Sequence, residues 1–349
     1  MIALPHIFLG QRRIAADAPT YVIAEIGVNH NGSADLAHQM IDAAKAAGAD
    51  AVKFQTYHTE DLVVSGAEKA AYQKSSTGEG DQLDMLKRLE LPFGDFAALH
   101  AHCQEVGIDF MSTAFDPKSL EFVSGLRPVC LKWPSGELTN RPLLRQARQT
   151  GLPILLSTGM GSLQEVAAAM DILGPDSETV ILQCVSNYPA RIEDQNLRVM
   201  PVMQNAFGVP VGFSDHTIGP YAAIAARALG MAVLEKHFTL DRTMPGPDHA
   251  ASIEPSEFAH MVEVLRQIEQ GLGDGIKRPT ASEDDVKKVA RKSLVYRRPL
   301  KAGHQLSDED LAAKRPGIGL SPDRMEFLLG RTLAHDVVAD QLLQEGDLR

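Results

Sequence analysis

Between residues 21 and 273 short apolar runs alternate with helical patterns, and the eight runs leave few folds open. They are YVIAEIG (21–27), DAVKFQT (50–56), GIDFMSTAF (107–115), VCLKWPSGE (129–137), LPILLSTG (152–159), TVILQCVS (179–186), VPVGFSD (209–215) and AVLEKHFT (232–239). Runs that are nearly all apolar suit strands buried on both faces, as in a parallel sheet. The first link, NGSADLAHQMIDAAKAAG, repeats Leu36, Met40, Ile41, Ala44 and Ala47 at helical spacing, with Ser33 as N-cap and Gly48 as stop. The link after the fifth run opens on Ser162 and Glu165, the spacing of a capping box, and stops at Gly174. Eight βα units in about 250 residues is the size of a (β/α)8 barrel. A doubly wound sheet is the alternative, but its usual glycine-rich phosphate turn is missing, since the first turn reads GVNHNG.

We expect the barrel to occupy residues 1–273. The polar, Gly- and Pro-containing stretch 274–290 reads as a linker, and 291–349, with short β-like pieces and turns, reads as a small second domain. A net charge of -11 argues against nucleic acid or an anionic membrane as partner. No run reaches the ~20 apolar residues of a membrane span. Cys103, Cys130 and Cys184 lack metal-type spacing and read as buried free thiols of a reducing compartment, with the cytoplasm as the expected location.

Nearly every run ends in residues capable of chemistry, and in a barrel those ends share one face. The fourth run brings Lys132, Ser135 and Glu137, the seventh Ser214, Asp215 and His216, the eighth Glu235, Lys236 and His237. His216 and His237, from neighbouring strands, suit a divalent ion completed by water or substrate oxygen; a hydrogen-bonded histidine pair is the structural alternative. Lys53 and Lys132 admit three readings: a Schiff-base nucleophile, a cradle for phosphate and carboxylate together with Ser135, Ser157, Asn187 and Ser214, or simple ion pairs with Glu25 and Glu137. Glu25 and Glu137 could act as general acid or base.

The stretches AEIGVNHNG (24–32), VKFQT (52–56), PSGELTN (134–140), LSTGM (156–160), FSDHTIG (213–219) and EKHFTLDRTMPGPDH (235–249) resemble the NeuB-type sialic acid synthases. ARKSLV (290–295) and KRPGIGLSP (314–322) resemble that family's C-terminal antifreeze-like (SAF) domain. The resemblance implies a (β/α)8 TIM barrel joined to a SAF domain, in a domain-swapped homodimer. It implies condensation of phosphoenolpyruvate (PEP) with an amino-sugar aldehyde, releasing phosphate. His216 and His237 would hold a divalent metal, typically manganese, with magnesium and cobalt as other candidates. Lys53, Lys132, Ser135, Ser157, Asn187 and Ser214 would hold PEP, with Thr113 also on the substrate side. Gln55, Tyr188 and Asp248 would contact the sugar, Arg315 would reach it from the other subunit, and Glu25 and Glu137 would be the catalytic carboxylates. On this reading N-acetylneuraminate synthase is the expected activity. N,N'-diacetyllegionaminate synthase is the alternative within the family, and pseudaminate synthase or a Schiff-base pyruvate aldolase stand behind it. Residues 65–90, Gln82 among them, fit no motif.

Overall fold

The computed structural model describes residues 4–349, which divide into two compact units, one ending at Gly273 and one running from Asp274 to Arg349. In the first unit eight parallel strands close into a barrel: β3 (Tyr21–Gly27), β4 (Ala51–Thr56), β5 (Asp109–Ala114), β6 (Leu131–Trp133), β7 (Ile154–Ser157), β8 (Thr179–Cys184), β9 (Val211–Asp215) and β10 (Val233–His237). They pair in chain order, and β10 closes on β3 with His237 opposite Glu25. This is the (β/α)8 barrel expected from the eight runs.

Side chains on a strand alternate between two faces, and the sequence alternation follows from that. Outward residues such as Val22, Ala24, Val52, Phe54, Leu131, Trp133, Ile181 and Phe213 join the core shared with the helices. Inward residues of the lower half, among them Tyr21, Ile23, Ala51, Met111, Leu155, Val180 and Val233, form a second apolar cluster. Further up the same strands, the inward positions turn polar. The caps are as the sequence predicts. Ser33 accepts from the Leu36 N–H at the start of Ala34–Ala46, and Ser162 and Glu165 form a capping box at the start of Leu163–Leu173.

Two features of the first unit depart from the sequence expectations. A hairpin of β1 (His6–Leu9) and β2 (Arg12–Ala15), not anticipated, packs Ile7, Leu9 and Ile14 into the lower inward cluster. The fourth run was expected to extend to Glu137, but the strand stops at Trp133. Pro134 follows, with no N–H to offer the sheet, and Ser135–Glu137 form a 3-10 turn.

The second unit is small. β11 (Ser293–Tyr296) pairs antiparallel with β12 (Leu311–Lys314) over a core that includes Leu294, Tyr296, Leu306, Leu311, Leu333 and Leu343. So little apolar volume needs polar support. Buried Asp310 receives Arg298, His304 and Ser307, and burial, which would raise its pKa, is outweighed by those hydrogen bonds, which hold it well below the usual carboxylate range. The stretch read as a linker contains a helix, Asp284–Ala290, tied to this unit where the Gly317 N–H donates to the Lys288 carbonyl at 2.7 Å. Among the described residues no helix is long and apolar enough to cross a membrane.

Candidate active site

The polar upper ends of the strands surround a cavity of about 480 Å³ at the barrel mouth. It is lined by Glu25, Lys53, Gln55, Thr113, Lys132, Ser135, Ser157, Tyr188, Ser214, His216, His237 and Asp248 among the residues predicted from sequence. Alternation accounts for the gathering. Glu25 follows Ile23, Lys53 follows Ala51, Thr113 follows Met111, and Ser157 follows Leu155, each two residues above an inward apolar neighbour. After Glu25 the pairing of β3 with β4 slips at Gly27, whose φ is +56°. A side chain at Gly27 would meet the Glu25 carboxylate at 3.0 Å and the Gln55 amide at 3.2 Å, so glycine keeps those two groups in contact.

The floor of the cavity is a buried charge network. Lys53 Nζ lies 3.0 Å from Glu25 Oε1 and 3.5 Å from Glu235 Oε1, and Lys132 Nζ lies 3.5 Å from that same Glu235 oxygen. Ser214 Oγ donates to Glu235 Oε1 at 3.0 Å, and Gln55 Nε2 donates to Glu25 Oε1 at 3.1 Å. One carboxylate oxygen thus serves two ammonium groups. Burial opposes the charge on Glu235, but Lys132 and Lys53 outweigh it and keep it ionised. Burial raises Glu25; Lys53 offsets part of that, and Glu235 adds to it, so Glu25 is the carboxyl of the two that takes up a proton first. For Lys53, burial is overcome by Glu235 and Glu25, and its pKa rises; for Lys132, burial dominates, Lys53 repels, and its pKa falls.

The network is under-satisfied in a way that points to an anion. Lys132 has three donors, yet its partners, Glu235 Oε1 and the Trp133 carbonyl, both lie at 3.5 Å, long for a charge-assisted bond. Ser157 Oγ is buried with no partner. Buried donors left so are completed from outside the chain, by ordered water or by a ligand.

Above the floor His216 and His237 stand with ring centroids 5.3 Å apart. His216 Nδ1 lies 2.7 Å from the Val185 carbonyl, which fixes its hydrogen there, and Nε2 faces the Ser214 hydroxyl at 3.4 Å. Burial, with His216 and Lys53 nearby, drives His237 well below its ordinary pKa and keeps it neutral, and its buried Nδ1 has no hydrogen-bond partner. Neutral imidazole is the form a metal requires; at His216 burial pushes the same way, but Cys184 and the Val185 carbonyl outweigh it and raise the pKa, so a metal there would displace a proton. Among the described residues no three His, Cys, Asp or Glu side chains cluster at ligand spacing. His216 and His237 are the two imidazoles that the cavity offers to a divalent ion.

Asp248 lies in the loop after β10, its Oδ2 3.9 Å from His237 Nδ1, and burial raises its pKa to about 6. Its loop is held by Asn29, whose amide donates to the Phe238 carbonyl and to Ser252 Oγ, both at 2.9 Å, while Ser252 Oγ donates to the Asp248 carbonyl at 2.7 Å.

Three predicted residues lie elsewhere. Glu137 accepts from the Asn140 amide at 2.6 Å in the turn after Pro134 and does not line the cavity. Exposed Asn187 spends its Oδ1 on the Tyr188 N–H, and Ser186 lines the wall instead. Arg315 belongs to the second unit, where it is exposed and its Nε donates to the Ala290 carbonyl. The sequence reading passed over Glu235 as a site residue, although its place two residues before His237 on an inward-facing register marked it. It also passed over Tyr72, Met85 and Leu86, which line the cavity from outside the strands; Met85, Leu86 and Leu89 do repeat at helical spacing, but that spacing marks a packed face without saying what it faces. The cysteines are free and buried as expected, with Cys184 on the cavity wall.

The sequence pattern of the NeuB family matches residues 40–277, and that of the SAF domain matches residues 291–349. The chain is 43% identical over 330 residues to the N,N'-diacetyllegionaminic acid synthase of Legionella pneumophila, covering 93% of each chain. It is 40% identical over 331 residues to the protein of the same name from Campylobacter jejuni, covering 93% of this chain and 99% of that one. Among solved structures it is similar to the N-acetylneuraminic acid (sialic acid) synthetase of Leptospira borgpetersenii in complex with citrate, with a TM-score of 0.73, 33% identity, and coverage of 82% of this chain and 96% of that one. A closed barrel with two buried lysines in its cavity, followed in sequence by a SAF domain, is what the motifs led us to expect, and the chain belongs to the NeuB family.

Proposed function

We propose that this protein condenses phosphoenolpyruvate with a 2,4-diacetamido-2,4,6-trideoxy-mannose to give N,N'-diacetyllegionaminate and phosphate. The observation that carries the PEP half is the pair Lys53 and Lys132 on one carboxylate oxygen, with the partnerless Ser157 hydroxyl beside them in the cavity. The sugar half is supported by identities of 43% and 40% to two diacetyllegionaminic acid synthases, against 33% to the N-acetylneuraminic acid synthetase. N-acetylneuraminate synthase, the activity first expected from the motifs, is thereby the weaker reading.

The lysines and the hydroxyls of Ser157 and Ser214 hold the phosphate and carboxylate of PEP on the cavity floor. Binding at those positions turns the methylene carbon outward, toward the imidazoles and the sugar aldehyde. The new carbon–carbon bond joins PEP C3 to the aldehyde carbon, water adds at C2, and the C2–O bond to phosphate breaks. The aldehyde oxygen needs one proton, and Glu25, whose carboxyl burial pushes up to about 7, can supply it; the proton that water releases on adding at C2 then restores Glu25. A divalent ion on His216 and His237, manganese by preference, supplies Lewis acidity toward the aldehyde when bound. Gln55, Tyr188 and Asp248 orient the sugar. The protein works as a homodimer in which Arg315 of one copy serves the sugar site of the other.

Phosphate release from PEP with manganese, measured with the diacetamido sugar and with N-acetylmannosamine and checked by product mass, tests the substrate assignment. A preference for N-acetylmannosamine would overturn it. Exhaustive chelation abolishes turnover and manganese restores it; full activity with no metal by elemental analysis would remove the ion from the account. Mixing Lys132→Met with Arg315→Ala subunits tests the dimer, because only a site served in trans regains activity in the hybrid.

A second reading has one observation in its favour: burial and Lys53 lower the Lys132 pKa, as a Schiff-base amine would require. Borohydride in the presence of pyruvate would then trap a covalent adduct on Lys132, and absence of the adduct dismisses it.

A further inference from the structure

The outer wall of the cavity is not made by the barrel strands. It is made by residues 67–90, which carry the helices Ala71–Thr77 and Gln82–Leu89 over the mouth on one side. The segment is fixed in place. The buried Lys69 ammonium donates to the carbonyls of Gly78 and Glu79 at 3.0 and 3.3 Å, which closes the loop between the helices. Asp81 caps the second helix and also accepts from the Gly66 N–H at 3.0 Å. The Tyr57 hydroxyl donates to the Leu86 carbonyl at 3.1 Å. Gly32 lets the chain pass so close that a Cβ there would stand 2.5 Å from the Arg88 carbonyl.

This pinned segment presents the cavity with a surface unlike the floor. Met85 and Leu89 are buried in a cluster with Val28 and Tyr57, and Leu86 and Phe115 pack against it. Tyr72 faces Tyr188 at 5.3 Å between ring centroids, and Tyr188 in turn lies 4.2 Å from the His216 ring. From the floor outward the order is therefore cations, imidazoles, Tyr188, then Tyr72 and the apolar wall. A sugar with its aldehyde at the imidazoles and its chain running outward would meet that wall with its far end.

We propose that Tyr72, Met85 and Leu86 form a specificity-determining subsite for the 6-deoxy methyl and second acetamido group of the sugar. This rests on the substrate reading above. N-acetylmannosamine carries hydroxyls at both places; Met85 and Leu86 strip water from a 6-hydroxyl without replacing its hydrogen bonds but accept a methyl, while Gln73 and Gln82, which line the same wall, offer amides to the second acetamido group. Such a pocket discriminates by roughly tenfold to a hundredfold.

The test uses the full-length chain with manganese and saturating PEP, comparing kcat/KM for the two sugars in wild type, Tyr72→Ala and Leu86→Asn, both half-buried, and Met85→Gln. We expect the preference for the diacetamido sugar to fall by about tenfold or more, through a higher KM for that sugar and with the KM for PEP unchanged. Thermal unfolding identifies any variant that has lost its fold, and the half-buried positions then decide. If Tyr72→Ala and Leu86→Asn lowered both sugars equally and kept the ratio, the segment would be a structural cover only and the subsite would fall alone. If the wild type turned over N-acetylmannosamine exclusively, the substrate reading and the subsite would fall together.

Discussion

The floor of the cavity and its rim are built by different means. The floor is carried on strands: Glu25, Lys53, Lys132, Ser157, Ser214 and Glu235 each occupy an inward position fixed by the hydrogen-bonded register of the barrel. The rim is carried by connections: the helices of residues 67–90 and the loop of Asp248, held by individual side-chain bonds such as those of Lys69 and Asn29. A strand-borne group cannot shift without moving its neighbours, so the floor suits the invariant part of a reaction. A connection can be exchanged without disturbing the barrel, so the rim suits the choice of substrate.

The largest test of that division is Lys132→Met. Losing one of two anion anchors should cut kcat/KM for PEP by about 10²–10³, the usual loss for one preorganised charged or donor group. The fold should survive by circular dichroism, and a loss under tenfold would mean the floor does not hold PEP. Glu235→Gln comes next. It removes the shared counter-ion of both lysines, and breaking a buried ionic network costs about 3 kcal/mol. Chemical denaturation followed by Trp133 fluorescence would register it, and an unchanged midpoint would show that Glu25 alone suffices. On the rim, Asn29→Ala should cost about 1–2 kcal/mol from two lost buried hydrogen bonds. It should raise the sugar KM severalfold and leave the PEP KM unaltered; an equal rise in both would erase the distinction between floor and rim. Smallest is Glu137→Gln. Its carboxylate faces Asn140 in a surface turn, so kcat should stay within about twofold of wild type, as for surface changes that cost under ~0.5 kcal/mol.

The same division explains what was legible in the sequence. All eight barrel strands could be read because strands buried on both faces leave an apolar run with polar ends, and eight of the twelve predicted residues that line the cavity sit on those strands for the same reason; Ser135, Tyr188, His216 and Asp248 reach it from connections. Glu137 and Asn187 were misplaced where a strand gives way to irregular chain: Pro134 ends one strand early, and Asn187 Oδ1 accepts from the Tyr188 N–H. Tyr72 and Met85 were invisible because an apolar residue on a covering helix looks the same whether it faces a core or a ligand. The hairpin at Leu9–Arg12 escaped because its strands are four residues each, too short for period two to stand out.

That hairpin has a consequence for the electrostatics above it. Ile7, Leu9 and Ile14 close the bottom of the barrel against the lower inward layer, which makes the hairpin an insulator. Beneath Lys53 and Lys132 the packing is apolar, so their charges are screened mainly from the mouth, and the two ammonium groups act as a terminal whose open pole is there. A leak at the bottom would ground that terminal without touching a single residue that meets substrate.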